Sequence, residues 1–198
     1  MNKILLLIRK ENSEYANNKY IESIERFGSR AILVYDYYSE DECLKVLKDV
    51  AGILLPGGDC VGRLDFFLIK YALDNNLRLL GICQGMQSMA LFASDDSLVE
   101  IGNLQHKAEE GYAHSVILSS SKLKDIYGRE QIMVNSHHKQ TVLKSYSFLV
   151  VGRSNDGLIE AIESSSDVFQ IGVQWHPERM IEYDEDSLKL LKKFVLGR

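Results

Sequence analysis

Three short stretches of this 198-residue chain carry residues whose types and spacing can do covalent chemistry. In GICQG, residues 81–85, an apolar run ends at Cys83, set between Gly81 and Gly85 and followed by a helix-like segment. This fits the glycine-flanked nucleophile of a strand-to-helix turn so tight that the flanking positions favour residues without a β-carbon. Such a turn lifts the sulfur above the sheet edge at a helix N-terminus, where the dipole lowers the thiol pKa. A small buried cysteine between two packing glycines fits the pentapeptide equally well. A thiolate nucleophile also needs a base and a group to orient that base. Of His106, His114, His137, His138 and His176, the last has the best context: GVQWHPE, residues 172–178. There an apolar strand leads to His176, Pro177 fixes the chain, and Glu178 follows at a spacing that suits a carboxylate holding the imidazole tautomer. The third stretch, LPGGD at 55–59, supplies backbone N–H groups for a developing oxyanion. Each such donor is worth about 10²–10³ in rate. The amides of Gln84 and Gly58, with Gly57 next, are the candidates. Cysteine, histidine and glutamate suffice for acyl transfer and do not make a metal site, so neither metal nor cofactor is expected.

The elements that must position these residues are legible from hydrophobic periodicity. Residues 3–8, 30–36, 52–58 and 78–83 read as buried strands. Between them, Tyr20, Ile21, Ile24 and Phe27 recur at helical spacing before Gly28, a helix C-cap residue. Segment 39–50 opens with the Ser39–Glu42 capping box, and 64–75 and 84–92 complete the helices. Strand–helix alternation with uninterrupted apolar strands predicts a parallel sheet covered on both faces. Sites in such sheets form outside the carboxyl ends of the strands, where PGGD and CQG fall. After residue 93 the pattern changes to short strands at 114–119, 131–136, 147–154, 157–163 and 168–175, mostly antiparallel, with a closing amphipathic helix at 185–197. The predicted fold is therefore α/β: a three-layer sandwich, one domain over residues 1–198, with a mostly parallel central sheet and antiparallel strands in the C-terminal half.

Composition narrows the function. The formal net charge of −5 argues against nucleic acid or an anionic membrane as the main partner. No apolar run approaches the length of a membrane span, and the leucines after Lys3 are too few for a signal peptide. Cys43, Cys60 and Cys83 are odd in number and lack CxxC spacing, which points to free thiols in a reducing cytoplasm and to no structural zinc.

With Cys83, His176, Glu178 and the glycine loop assembled, the sequence resembles the class I glutamine amidotransferase superfamily, and within it most the gamma-glutamyl hydrolase family. GILLPGGD, GICQGMQ and GVQWHPE occur in that family's order across nearly the whole chain. VNSHHKQ (134–140), DGLIEAIE (156–163) and RLDFFLIKYALDNN (63–76) resemble segments of its hydrolase branch. Gln84 stands where many members carry arginine, and 92–113 lacks the usual glycine-rich continuation. The resemblance implies a flavodoxin-like fold and a catalytic triad of Cys83, His176 and Glu178. It also implies an oxyanion hole at Gly58 and Gln84, and a glutamyl site formed by Gln87, Asn135, Ser136 and His138. The implied reaction is attack on a gamma-glutamyl amide, a glutamyl thioester, and hydrolysis to glutamate. His106 and His114 read as structural, or as lining the leaving-group pocket, and Cys60 lies near the glycine turn.

Three functions compete. The first is a stand-alone hydrolase of a small gamma-glutamyl amide, monomeric or homodimeric. Its substrate would be gamma-glutamyl-CDP-amidate of capsule phosphoramidate synthesis, or a gamma-glutamyl-GABA or polyamine amide. The second is a glutaminase subunit that delivers ammonia to a separate synthase partner. The third is a non-enzymatic thiol sensor, which would have no use for an ordered His–Glu pair.

Overall fold

The computed structural model describes residues 1–102, 106 and 111–197. Its centre is a nine-stranded sheet in the order β2-β1-β3-β4-β11-β10-β9-β6-β7. The first four strands are β1 (Lys3–Ile8), β2 (Arg30–Tyr35), β3 (Gly52–Leu55) and β4 (Arg78–Ile82). They are parallel, and the helices α1 (Glu14–Glu25), α2 (Glu40–Leu47) and α3 (Arg63–Asp74) connect them. Helix α4 (Gln84–Leu91) leaves the end of β4. Alternate residues of β1 enter opposite cores. Ile4, Leu6 and Ile8 pack with Tyr20 and Ile24 of α1 and with Leu190 and Phe194 of α6 (Glu185–Leu196). Leu5 and Leu7 pack with Cys43 and Leu47 of α2, Leu68 of α3 and Met86 of α4. A strand buried on both faces has no polar positions, which is why these segments read as continuous apolar runs.

The second half comprises β5 (Val99–Glu100), β6 (His114–Leu118), α5 (Lys122–Tyr127), β7 (Gln131–Val134), β8 (Gln140–Thr141), β9 (Leu149–Ser154), β10 (Ile159–Glu163) and β11 (Gln170–Val173). The strands β10, β9, β6 and β7 run antiparallel, as predicted. β11 departs from the mostly antiparallel expectation: it pairs parallel with β4 while pairing antiparallel with β10. Helix α5 and the two-residue pair β5–β8 are additions to the sequence reading. The glycines after β3 lie outside the strand, which ends at Leu55. Helix α1 ends earlier than expected, with Arg26 as its cap residue, and Gly28 takes φ 75° two residues beyond. The Ser39–Glu42 capping box is formed, with the Ser39 amide donating to Glu42 at 2.8 Å. Among the described residues no helix is long and apolar enough to cross a membrane.

This topology fixes where the chemistry gathers. Leu55 stands opposite Gly81, and Val173 opposite Ile82, so β3, β4 and β11 end side by side. The glycine loop, Cys83 and the HPE segment leave those three ends, at one edge of the sheet.

Candidate active site

Cys83 sits at φ 51°, ψ −108°, a sparsely populated conformation for a residue with a side chain. Its N–H donates to Val173 O at 2.8 Å, which anchors the turn to β11. The flanking glycines are sterically required. A β-carbon on Gly85 would lie 2.2 Å from Leu55 O, and one on Gly81 would lie 2.6 Å from Met89 Sδ and 2.7 Å from Gly85 O. The helix α4 can approach β3 and β4 this closely only without those carbons.

His176 Nδ1 lies 2.7 Å from Glu178 Oε1, with both side chains buried. A short turn, Pro177–Arg179, brings the carboxylate back under the ring. His176 Nε2 has no hydrogen-bond partner among the described residues, while Cys83 and His176 line the same cleft. Burial opposes charge on His176, but the Glu178 carboxylate and Cys83 outweigh it and raise the imidazole from 6.5 to about 9. Burial likewise opposes the thiolate, yet the interaction with His176, then the charge of His138, brings Cys83 below its ordinary value. The two shifts together favour a thiolate–imidazolium pair.

The glycine loop separates the two amide candidates. Gly57 N–H donates to Tyr20 Oη at 3.0 Å and is thereby engaged. The N–H groups of Gly58 and Gln84 donate to nothing among the described residues. A β-carbon on Gly58 would meet Arg9 Cδ at 2.4 Å. Arg9 belongs to a buried network that sequence reading missed. Its guanidinium bonds Asp65 at 2.5 and 3.2 Å and points its Nε at Pro56 O, 3.4 Å away. Asp65 in turn accepts from Ser88 Oγ at 3.1 Å, and Gln84 Nε2 donates to Ser88 Oγ at 3.1 Å. The network ties the glycine loop to the first turn of α4.

The cleft has a volume of about 560 Å³ and is lined by Cys83, His176, Gly57, Gly58, Gln87, His138, Tyr20, Lys139 and Arg179, among others. Of the expected glutamyl-site residues, Gln87 and His138 therefore face it. Gln87 Nε2 donates to Gln140 O at 2.9 Å and to Gln174 Oε1 at 3.1 Å. Asn135 and Ser136 are buried and do not line it. Asn135 clasps the backbone of His176, accepting from its N–H at 2.8 Å and donating to its carbonyl at 3.0 Å. Ser136 Oγ stands 3.4 Å from His106 Nδ1. Gln174, which the sequence reading did not single out within its own HPE motif, donates from Nε2 to Cys83 Sγ at 3.5 Å. Cys43 is a core residue, and Cys60 is exposed. The unusual 92–113 region lies partly outside the described residues.

A poised thiol, a buried imidazole–carboxylate pair and uncommitted amides on one cleft are what amide cleavage through a thioester needs. Comparison with known proteins finds relatives named for glutamine amidotransferases and CTP synthase. A Schizosaccharomyces pombe protein, whose name assigns it provisionally to the glutamine amidotransferases, is 29% identical over 91% of this chain and 82% of its own length. The CTP synthase of Sulfolobus acidocaldarius is 30% identical over 71% of this chain, which spans 33% of that enzyme. Among solved structures, the glutaminase domain of Trypanosoma brucei CTPS with bound acivicin superposes with a TM-score of 0.75 at 18% identity, covering 100% of this chain and 93% of that one. A glutamine amidotransferase of Thermotoga maritima gives 0.68 at 18% identity, over 99% and 89%. At these identities the structural likeness speaks for the fold, which is the α/β fold of class I glutamine amidotransferases. The model of the peptidase C26 family matches residues 61–178, from before the elbow to the HPE glutamate, and the chain belongs to that family within the class I glutamine amidotransferase-like superfamily.

Proposed function

We propose that the chain is a thiol-dependent glutaminase of the glutamine amidotransferase type, cleaving the γ-carboxamide of glutamine and passing ammonia to a separate synthase. The observation that carries the reading is the Cys83–His176–Glu178 arrangement beside the uncommitted Gly58 and Gln84 amides. In this reading Cys83 thiolate attacks the γ-carbonyl, and the oxyanion rests on the two amides. His176, held by Glu178, gives its proton to the leaving nitrogen, so that ammonia departs and a glutamyl thioester remains. His176 then takes a proton from water, which attacks the thioester and releases glutamate and the free thiol. Gln174 Nε2 steadies the thiolate, and Asn135 acts on His176 as a positioning residue. Gln87 and His138 face the glutamyl group. The relatives named for glutamine amidotransferase and CTP synthase support glutamine as the nitrogen source.

A second reading keeps the chemistry and enlarges the leaving group: hydrolysis of a gamma-glutamyl amide such as gamma-glutamyl-CDP-amidate, gamma-glutamyl-GABA or a polyamine conjugate. The open cleft of about 560 Å³, with Lys139 and Arg179 on its lining, favours it. Glutamate release by the isolated chain separates the two. Strong turnover of a larger gamma-glutamyl amide with negligible glutamine cleavage would displace the first reading. Glutamine cleavage that rises when a synthase is added would displace the second.

A further inference from the structure

Behind the cleft, four buried side chains converge: His106, His114, His138 and Glu160. Glu160 Oε1 lies 3.5 Å from His106 Nδ1, 3.7 Å from His114 Nε2 and 3.6 Å from His138 Nε2. One ligand atom from each residue can be chosen so that all four fall within 4.8 Å of one another. These separations are too long for hydrogen bonds. The three separations from Glu160 lie close to the edge of a tetrahedron around zinc, which is about 3.3–3.4 Å for bonds of about 2.0–2.1 Å.

The outer ring nitrogens determine what the inner ones offer. His138 Nδ1 lies 2.9 Å from Gln140 O, His114 Nδ1 lies 3.3 Å from Ser115 O, and His106 Nε2 lies 3.1 Å from Asp156 Oδ2. A carbonyl or carboxylate oxygen only accepts, so each outer nitrogen carries a hydrogen, and in the neutral imidazole, the form that binds a metal, each inner nitrogen presents a lone pair. Glu160 adds two oxygens that accept no hydrogen bond among the described residues, and His114 Nε2 and His138 Nε2 likewise have no partner there. The Ser136 hydroxyl, 3.4 Å from His106 Nδ1, is the nearby donor and is too distant to satisfy the group. Among the described residues, the Glu160 carboxylate and three imidazole nitrogens converge with the Ser136 contact of 3.4 Å as their nearest hydrogen bond, an arrangement that a cation would complete. Imidazole nitrogens held by carbonyl or carboxylate acceptors on their far side are the outer-shell pattern of metal ligands.

We propose that Nδ1 of His106, Nε2 of His114, Nε2 of His138 and Oε1 of Glu160 bind one zinc ion. Three imidazoles and a carboxylate suit zinc, and with all four ligands buried the coordination is closed, which makes the site structural. It would pin the segment after β7 to the centre of the sheet. That segment forms the cleft wall bearing His138, Lys139 and Gln140, and the Glu160 carbonyl accepts the amide of Gln174 beside Cys83. The cysteine spacing that spoke against structural zinc has no bearing on a cysteine-free ligand set. The assignment stands apart from the glutaminase reading, because metal content is measured whether or not the protein turns over.

The test is elemental analysis of the full chain, purified without a metal-affinity tag from zinc-supplemented cells. About one zinc per chain is expected in the wild type and in Cys83→Ala, with at least a ~10-fold loss in His114→Ala and in Glu160→Gln. Since those variants can fail to fold, wild-type protein stripped with a chelator is titrated with cobalt(II). Stoichiometric visible bands of four-coordinate cobalt, lost on adding zinc, support the site. Asp156→Asn, which leaves the ligands intact, is expected to weaken zinc affinity ~10–100-fold. Wild-type protein that holds no stoichiometric zinc after incubation with zinc chloride and gel filtration would overturn the proposal. Full zinc content persisting in both His114→Ala and Glu160→Gln would overturn it as well.

Discussion

Replacing Glu178 by glutamine keeps the shape of the side chain and removes the charge 2.7 Å from His176 Nδ1. Burial acts against the imidazolium, yet Glu178 and Cys83 raise it from 6.5 to about 9, a difference worth about 3 kcal/mol. Losing the Glu178 carboxylate lowers the His176 pKa and with it the population of the charged pair. A glutamine can also present its N–H₂ to Nδ1 and select the wrong tautomer, an error that costs up to ~10⁴ in kcat where it has been isolated in a serine-protease triad. The expected outcome is a kcat reduced by ~10²–10⁴ with KM changed less than ~3-fold. Glutamate release from glutamine and from a panel of gamma-glutamyl amides provides the rate, and a thermal melt confirms folding. Alkylation of Cys83 across pH supplies an independent readout: its midpoint is expected to move up in the variant as the imidazolium is lost. A variant with kcat/KM within ~3-fold of wild type and an unmoved alkylation midpoint would refute the reasoning.

Other perturbations follow from the same geometry. Gly85→Ala drives a β-carbon to 2.2 Å from Leu55 O, so α4 must shift; a loss of ~1–3 kcal/mol in urea unfolding and slower Cys83 alkylation are expected. A wild-type-like midpoint and alkylation rate would contradict the steric account of the elbow. Arg9→Met strands the buried Asp65 carboxylate and is expected to destabilise by ~3–5 kcal/mol, while adding Asp65→Leu restores a large part of it; additive losses in the double variant would argue against the pairing. Below pH 6.5 the raised pKa of His176 contributes its full stability, which is lost as pH rises through about 9. The lowered pKa of Cys83 contributes in the opposite sense, its share growing as pH rises toward 9.0. Cys83→Ala removes one of the two groups that raise His176, so in urea titrations of the variant the loss of His176's contribution is expected to centre below pH 9, and a loss still centred at about 9 would speak against the coupled pair.

Much of the parallel half could be read from the sequence because its physics is local. Strands buried on both faces must be apolar throughout, and the Ser39–Glu42 cap and the flanking glycines are short-range requirements. The pairing of β11 with β4 was not legible. Both are short apolar runs, and periodicity carries no information on strand partners or direction. Helix α5, six residues long, and the two-residue strands β5 and β8 are too short to show a period. The candidate site divides along the same line. Cys83, His176 and Glu178 sit in motifs whose glycines and proline betray the backbone. Arg9 and Asp65 lie 56 residues apart, and in sequence a buried ion pair looks like two solvated charges. Asn135 was expected at the glutamyl group from a resemblance, whereas its hydrogen bonds to the His176 backbone are visible only in the fold.

In the proposed mechanism Cys83 carries a glutamyl thioester. Acid-quenched protein, mixed with glutamine or a gamma-glutamyl amide and mapped by peptide mass spectrometry, tests it directly. The expected result is a glutamyl adduct confined to the peptide containing Cys83, absent in Cys83→Ala and persisting longer in Glu178→Gln. Glutamate released at an undiminished rate by Cys83→Ala, with no adduct on the wild-type protein, would contradict it.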